Sequence, residues 1–195
     1  MKIWQFQQWD EEPYFFKVPS ASLAVAWSQD GKYLASGNMD KTICVLEITF
    51  IGDEKQAEPW IMQGFPGKIR HLAWSNITTS KNEPLFASSS MEGVVVWEKH
   101  EDKSLGWGAT VLENHSDIVE AIAFAPHSLM LASAGTDGCV CLWKKGKRLS
   151  QVLKGVSGGF SCLAWHPQGD KLAAGTENGE LLVWKQSLRG KGGDC

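Results

Sequence analysis

The feature that most restricts this chain is that its sequence repeats itself. The stretch from His115 to Trp143, HSDIVEAIAFAPHSLMLASAGTDGCVCLW, is the clearest copy of a unit that recurs with erosion along the rest of the chain. It opens on His115, runs an apolar strand to Phe124, turns through Ala125-Pro126-His127-Ser128 and continues as a second strand from Leu129 to Ala134. A tight Gly135-Thr136-Asp137-Gly138 turn feeds a third strand ending at Trp143. Strands filled by Val, Ile, Leu and small residues, with turn residues between them, predict a compact antiparallel meander.

The first strands of the copies end at Trp27, Trp74, Phe124 and Trp165, which lie 47, 50 and 41 residues apart. Such periods suit four-stranded propeller blades. Third strands end at Leu46, Trp97, Trp143 and Trp184, each after an apolar run, and outer strands are expected near Tyr14–Val18, Trp60–Gln63, Thr110–Leu112 and Leu149–Leu153.

His115, Ser133, Asp137 and Trp143 stand where WD-repeat proteins place four residues that hydrogen-bond across a blade, and on those residues the chain resembles the WD-repeat β-propeller family. The resemblance implies a relay in which the indole N–H of Trp143 meets the hydroxyl, the hydroxyl the imidazole, and the imidazole the carboxylate. These residue types also make up a serine-hydrolase triad, but the resemblance assigns them to packing. The expected fold is all-β, a propeller of about four WD-type blades that does not complete a ring. Residues 1–18 are expected to be the remnant of a preceding blade with its outer strand, and 19–185 four repeats at about 19–63, 64–113, 114–153 and 154–185. Residues 186–195 read as a flexible tail.

Mid-blade entry is the basis for the remnant. Trp4 precedes Trp27 by 23 residues, close to the 22 between Trp143 and Trp165, so Ile3-Trp4 matches the end of a third strand. The relay decays elsewhere: Val18, Ser36, Asp40 and Leu46 in the first copy; Phe65, Ser88, Glu92 and Trp97 in the second, with a turn one residue shorter; Val156, Ala174, Asn178 and Trp184 in the fourth. An apolar residue at the His position removes a polar group rather than stranding one. Two inserts, 47–59 and Ser75–Pro84, are polar and read as solvated loops.

Composition narrows the function classes. A net charge of −3 argues against a nucleic-acid surface, which needs clustered positive charge. No run of about 18 apolar residues is present to span a bilayer as a helix, and Met1–Gln5 lacks the apolar core of a signal peptide, so the expected setting is cytoplasmic. Cys44, Cys139, Cys141 and Cys162 fall in expected strands and read as buried small hydrophobes, with Cys195 an exposed thiol in the tail. His71 and His100 stand apart from the repeated motifs, His127 and His166 fall in turns, and no metal site or other cofactor site is expected. Gly155–Gly159 lacks the Lys-Ser/Thr ending of a phosphate loop. The basic run Lys144, Lys145, Lys147, Arg148 and Lys154 reads as a solvated hairpin that discourages edge pairing.

The resemblance implies a non-catalytic protein–protein interaction scaffold that takes a peptide or protein partner at the mouth of the propeller. There the residues before the Asp positions, Met39, Met91, Thr136 and Glu177, meet the starts of the first strands, near Lys68 and Ile118, to form a candidate rim. The alternative is an enzyme or small-ligand-binding propeller with a site in its central channel, for which the sequence offers no nucleophile, base and orienting group beyond the relay. Expected partners are a peptide or protein of unspecified identity and, for an incomplete ring, a missing propeller half or a second copy.

Overall fold

The computed structural model describes residues 1–4, 7–48, 59–154 and 158–185. Two short strands, β1 (Lys2–Ile3) and β2 (Tyr14–Phe15), pair with each other. Three four-stranded antiparallel sheets follow in chain order. Blade 1 holds β3 (Ser22–Trp27), β4 (Tyr33–Asn38), β5 (Ile43–Glu47) and β6 (Trp60–Met62). Blade 2 holds β7 (His71–Thr78), β8 (Pro84–Ser90), β9 (Gly93–Lys99) and β10 (Trp107–Leu112). Blade 3 holds β11 (Val119–Phe124), β12 (Leu131–Gly135), β13 (Val140–Lys144) and β14 (Arg148–Leu153). Among the described residues blade 4 has three strands, β15 (Phe160–Trp165), β16 (Lys171–Thr176) and β17 (Leu181–Lys185).

The blades stack through their first strands, β3 on β7, β7 on β11 and β11 on β15. Alternation along each strand sends every second side chain to one neighbouring blade, so the core is divided into three layers between blades. Tyr33, Ile43 and Val45 meet Trp74, Phe86 and Trp97 between blades 1 and 2. Leu85, Val94 and Val96 meet Phe124, Leu131 and Trp143 between blades 2 and 3, and Ala132, Ala134 and Val140 meet Phe160 and Leu172 between blades 3 and 4. The sheets do not close into a ring, and the two outward faces stay open: Val25 and Trp27 on blade 1 are 61% and 47% exposed, Leu181 and Val183 on blade 4 75% and 61%.

A bulge recurs at the start of the first strand in blades 1, 3 and 4, between Ser22 and Ala24, Val119 and Ala121, and Phe160 and Cys162. Blade 2 has none there. Its second-to-third turn is shorter, only Met91 and Glu92 between the paired Ser90 and Gly93, which places Met91 at φ +52°.

Three expectations need correcting. Ser75–Pro84 is solvated only in part: Asn76, Thr78, Ser80 and Asn82 are exposed, but β7 continues to Thr78, which pairs with Pro84, Ser75 is buried, and Glu83 turns inward. The outer strand of blade 2 begins at Trp107 rather than Thr110, while that near Tyr14 is only two residues long. Cys44 and Cys141 are buried, but Cys139 precedes its strand and is half-buried, and Cys162 is exposed on the open face of blade 4. The basic run is exposed at all five positions, as expected of a solvated hairpin, and Lys147 in addition pairs with Glu98 of blade 2. Val156, Cys195, nearly all of the 47–59 insert and residues 186–195 lie outside the described residues.

Candidate functional site

Blade 3 carries a continuous polar chain. Trp143 Nε1 donates to Ser133 Oγ at 2.9 Å, and Ser133 Oγ lies 2.8 Å from His115 Nε2. With the indole donating, the hydroxyl hydrogen is directed at Nε2, which leaves Nδ1–H to donate to Asp137 Oδ2 at 3.0 Å. Asp137 also accepts the backbone N–H groups of Ser116 and Cys139. Ser133 and the His115 side chain have no solvent exposure. A buried hydroxyl already engaged on both sides cannot attack a substrate, so this Ser–His–Asp set has the parts of a triad without access to one. Gly135 is the unadvertised member: a Cβ there would lie 2.9 Å from both Asp137 Oδ1 and His115 Nδ1.

Blade 2 keeps half of this chain. Trp97 Nε1 donates to Ser88 Oγ at 3.1 Å, and Phe65, in the His position, packs its ring 5.9 Å from that of Trp97. In blade 1, Leu46 replaces the Trp and Ser36 lies opposite Cys44.

A second polar cluster lies at the seam of blades 1 and 2, and no repeat signalled it. Lys99, its side chain 3% exposed, donates to Tyr33 Oη at 2.6 Å and Glu47 Oε2 at 3.0 Å, with its ammonium 4.8 Å from the ring centres of Tyr33 and Trp60. Tyr33 in turn donates to Glu83 Oε2 at 2.9 Å, and Lys32 pairs with Glu83 at 2.7 Å. Burial, then the hydrogen bond to Glu83 and the nearby carboxylates, hold the Tyr33 phenol far above its usual range. The sequence clue was a lysine closing the apolar run of β9, with Glu47 and Glu83 in segments that read as surface.

The candidate rim follows the blades along one edge. Met39 N donates to Ala21 O at 2.9 Å, Thr136 N to Ile118 O at 2.9 Å and Glu177 N to Gly159 O at 3.0 Å, so in three blades the residue before the Asp-type position ties the turn to the start of its own first strand. In blade 2 the shortened turn breaks this pattern. Ser90 Oγ bridges Gly67 N and Gly67 O instead, and Met91 O accepts Val119 N of blade 3. Ile69 N likewise reaches Asn38 O of blade 1. The side chains point outward: Met39 is 44%, Met91 46% and Ile118 37% exposed, Lys68 and Glu177 are exposed, and Thr136 is half-buried with its hydroxyl on Ile118 O. Ile118 and Thr136 are in contact, and Met91 sits beside Val119; Met39 and Glu177 occupy the turns of the first and last blades.

Among the described residues no three His, Cys, Asp or Glu side chains converge as a metal site requires. Burial pushes the Cys44 and Cys141 thiols up to about 11, which leaves both protonated and unreactive near neutral pH.

The sequence pattern of the WD domain, G-beta repeat matches residues 15–46, 108–144 and 147–185, and the long gap in that match is the second copy, with its shortened turn and Phe65. The chain is 25% identical over 197 residues to protein transport protein sec13 of Emericella nidulans, covering 90% of this chain and 62% of that one. It is 24% identical over 165 residues to WD repeat-containing protein slp1 of Schizosaccharomyces pombe, 83% of this chain and 31% of that one. Over 78 residues it is 36% identical to protein Atg16l2 of Mus musculus, 38% of this chain and 12% of that one. A chain in the crystal structure of the Mitotic Checkpoint Complex has a similar fold, with a TM-score of 0.68 at 22% identity, over 87% of this chain and 49% of that one. In each case this chain spans less than two thirds of the other's length. The matched repeats cover more than half of the sequence, and the chain belongs to the WD40 family of WD-domain, G-beta-repeat propellers, a family of protein-interaction scaffolds.

Proposed function

We propose that this chain is a non-catalytic scaffold, set in the cytoplasm, that takes a peptide or protein partner on the rim formed by Met39, Lys68, Met91, Ile118, Thr136 and Glu177. The observation that carries the reading is the division of labour at the rim. Backbone groups of the turns hold the blades, while the side chains of Met39, Met91 and Ile118 stay exposed above them. Exposed, conformationally adaptable methionines beside a lysine suit an apolar peptide with an acidic flank. Met91 adds a second support, because a non-glycine residue held at positive φ in a two-residue turn is a strained position of the kind found at binding sites. Free Cys44, Cys139, Cys141 and Cys162 accord with a reducing compartment.

The test compares partner capture by the wild-type chain with that by the triple variant Met39→Ala, Lys68→Ala, Met91→Ala, using Gln168→Ala on the opposite turns as control. The expected result is loss of the captured protein with the triple variant alone. Equal capture by all three chains overturns the rim. The open faces of blades 1 and 4 support a further part of the proposal, that additional blades cover them, supplied by a missing propeller half or by self-association. Light scattering at several concentrations tests this part, and a compact monomer that binds no apolar dye counts against it.

A further inference from the structure

Of the five methionines, two stand in the open, and both belong to the rim. Met39 and Met91 are 44% and 46% exposed. Met62 is 6% exposed in the core between blades 1 and 2, and Met1 and Met130 are half-buried. A thioether is oxidised by peroxide where the oxidant can reach a sulfur lone pair, and the fold grants that access at the rim while withholding it in the core. The buried thiols of Cys44 and Cys141 are held protonated, and the exposed Cys162 lies on blade 4, whereas Met39 and Met91 belong to blades 1 and 2.

Met91 is also held in an unusual way. It sits at φ +52° in the two-residue turn of blade 2, and its side chain is laid across Gly67. A Cβ on that glycine would come 2.7 Å from Met91 Cγ and 2.9 Å from Sδ. Gly67 is itself clamped by Ser90 Oγ, which accepts its N–H at 3.0 Å and donates to its carbonyl at 2.9 Å. The sulfur therefore rests with one side on fixed backbone and turns its other side to solvent, so an oxidant approaching from solvent meets one of its two lone pairs.

We propose that Met39 and Met91 are sites of reversible sulfoxidation through which hydrogen peroxide weakens partner binding at the rim, and that the seat on Gly67 restricts the product at Met91 to one sulfoxide epimer. A sulfur lone pair attacks one peroxide oxygen as the O–O bond breaks. The sulfur is oxidised, and the departing oxygen leaves with its protons as water. Reduction by a methionine sulfoxide reductase reverses the step: a dithiol is oxidised to a disulfide and the sulfoxide oxygen leaves as water. The sulfoxide replaces an adaptable apolar surface with a polar, chiral one, and pressing it against an apolar peptide desolvates an oxygen that gains no hydrogen bond. The modification sites stand on the geometry, and their effect on binding rests on the reading of the rim given above.

The purified chain is treated with dilute hydrogen peroxide, then with dithiothreitol to reverse disulfides and sulfenic acids, and peptide mass mapping follows oxygen uptake at each methionine. Met39 and Met91 are expected to oxidise well before Met62. One class of methionine sulfoxide reductase removes the Met91 sulfoxide and the class specific for the other epimer leaves it; in Gly67→Ala, which lifts the side chain off its seat, each class removes about half. Binding is measured with the purified protein that the wild-type chain captures and the rim triple variant loses. Its affinity is expected to fall about tenfold after peroxide, to stay low after dithiothreitol, and to return with both reductase classes. Met39→Leu/Met91→Leu, compared with itself before and after peroxide, is expected not to change. Circular dichroism melts check the folding of each variant. Oxidation of Met62 as fast as that of Met91, or a near-equal mixture of epimers at Met91 in the wild type, overturns the proposal. So does unchanged wild-type affinity after peroxide, or an equal fall in the leucine variant. Capture by the rim triple variant equal to that by the wild type counts against the rim itself, and the mass mapping still decides the modification sites.

Discussion

Blades 2 and 3 solve the same problem with opposite chemistry. Blade 3 threads one polar chain, Trp143–Ser133–His115–Asp137, through its own interior, every member satisfied by the next. Blade 2 has put Phe65 where the imidazole would stand and fills the space by ring packing on Trp97. Its buried ammonium, Lys99, lies instead at the seam with blade 1, where it meets Glu47 and Tyr33. Polar specificity thus acts within one blade and between two others.

The largest effect is expected at Lys99. Replacing it with Met leaves Glu47 and the Tyr33 hydroxyl without their buried cation, and the expected cost is about 3–5 kcal/mol in urea unfolding; a loss below about 1 kcal/mol would show the seam to be ordinary surface. In blade 3, His115→Ala or Asp137→Asn is expected to cost about 1–3 kcal/mol, since each strands a buried partner, and Asn178→Ala in blade 4 clearly less. Denaturant melts ranking these the other way would show that the relay does not hold blade 3 together. Ser88→Ala is expected to cost about 1 kcal/mol, because only the Trp97 indole loses its acceptor, whereas Ser133→Ala strands both Trp143 and His115.

Two smaller effects sharpen the contrast. Met91→Gly relieves a left-handed backbone and is expected to raise stability by roughly 1 kcal/mol in thermal melts. Gly138→Ala, at φ +72° in the corresponding turn of blade 3, should lower it by a similar amount. The smallest effect concerns the seam between the two blades. Burial lowers the pKa of His71, with Glu120 across the seam opposing and Arg70 assisting. The folded chain therefore holds this proton less readily than the unfolded one, and stability falls as pH drops through the ordinary histidine range. Between about pH 7.5 and pH 5 the wild type is expected to lose more stability than His71→Gln; equal losses would mean that His71 titrates alike in both states.

The relay residues and the rhythm of strands were legible because they are local. A fixed spacing and an alternating pattern survive in one dimension, and the chain from His115 to Trp143 holds all four relay members within one blade. The Lys99 cluster was not legible, since Tyr33, Glu47, Glu83 and Lys99 come from two blades and meet only when these stack. Ser75–Pro84 misled for the same reason: its composition is that of a solvated loop, but Glu83 is drawn inward by Lys32 and Tyr33 of the neighbouring blade. The rim was readable as a set of positions. Its backbone bonds were not, because they join each turn to the start of a first strand some 18 residues away and form only once the sheet has paired.

Apolar blade seams are in principle interchangeable, and arrays of repeats grow, shrink and reorder by recombination on that basis. The Lys99 seam is different. Blade 1 contributes Tyr33, Glu47 and Trp60, blade 2 contributes Lys99 and Glu83, and the buried ammonium of the one is held by the carboxylate, hydroxyl and indole of the other. Transplanting blade 2 behind blade 3, whose contacting face is Ala132, Ala134 and Val140, would bury the ammonium against alanine and valine. The two blades are therefore complementary as an ordered pair, and an array that separated them would leave the Lys99 ammonium without Glu47 and Tyr33.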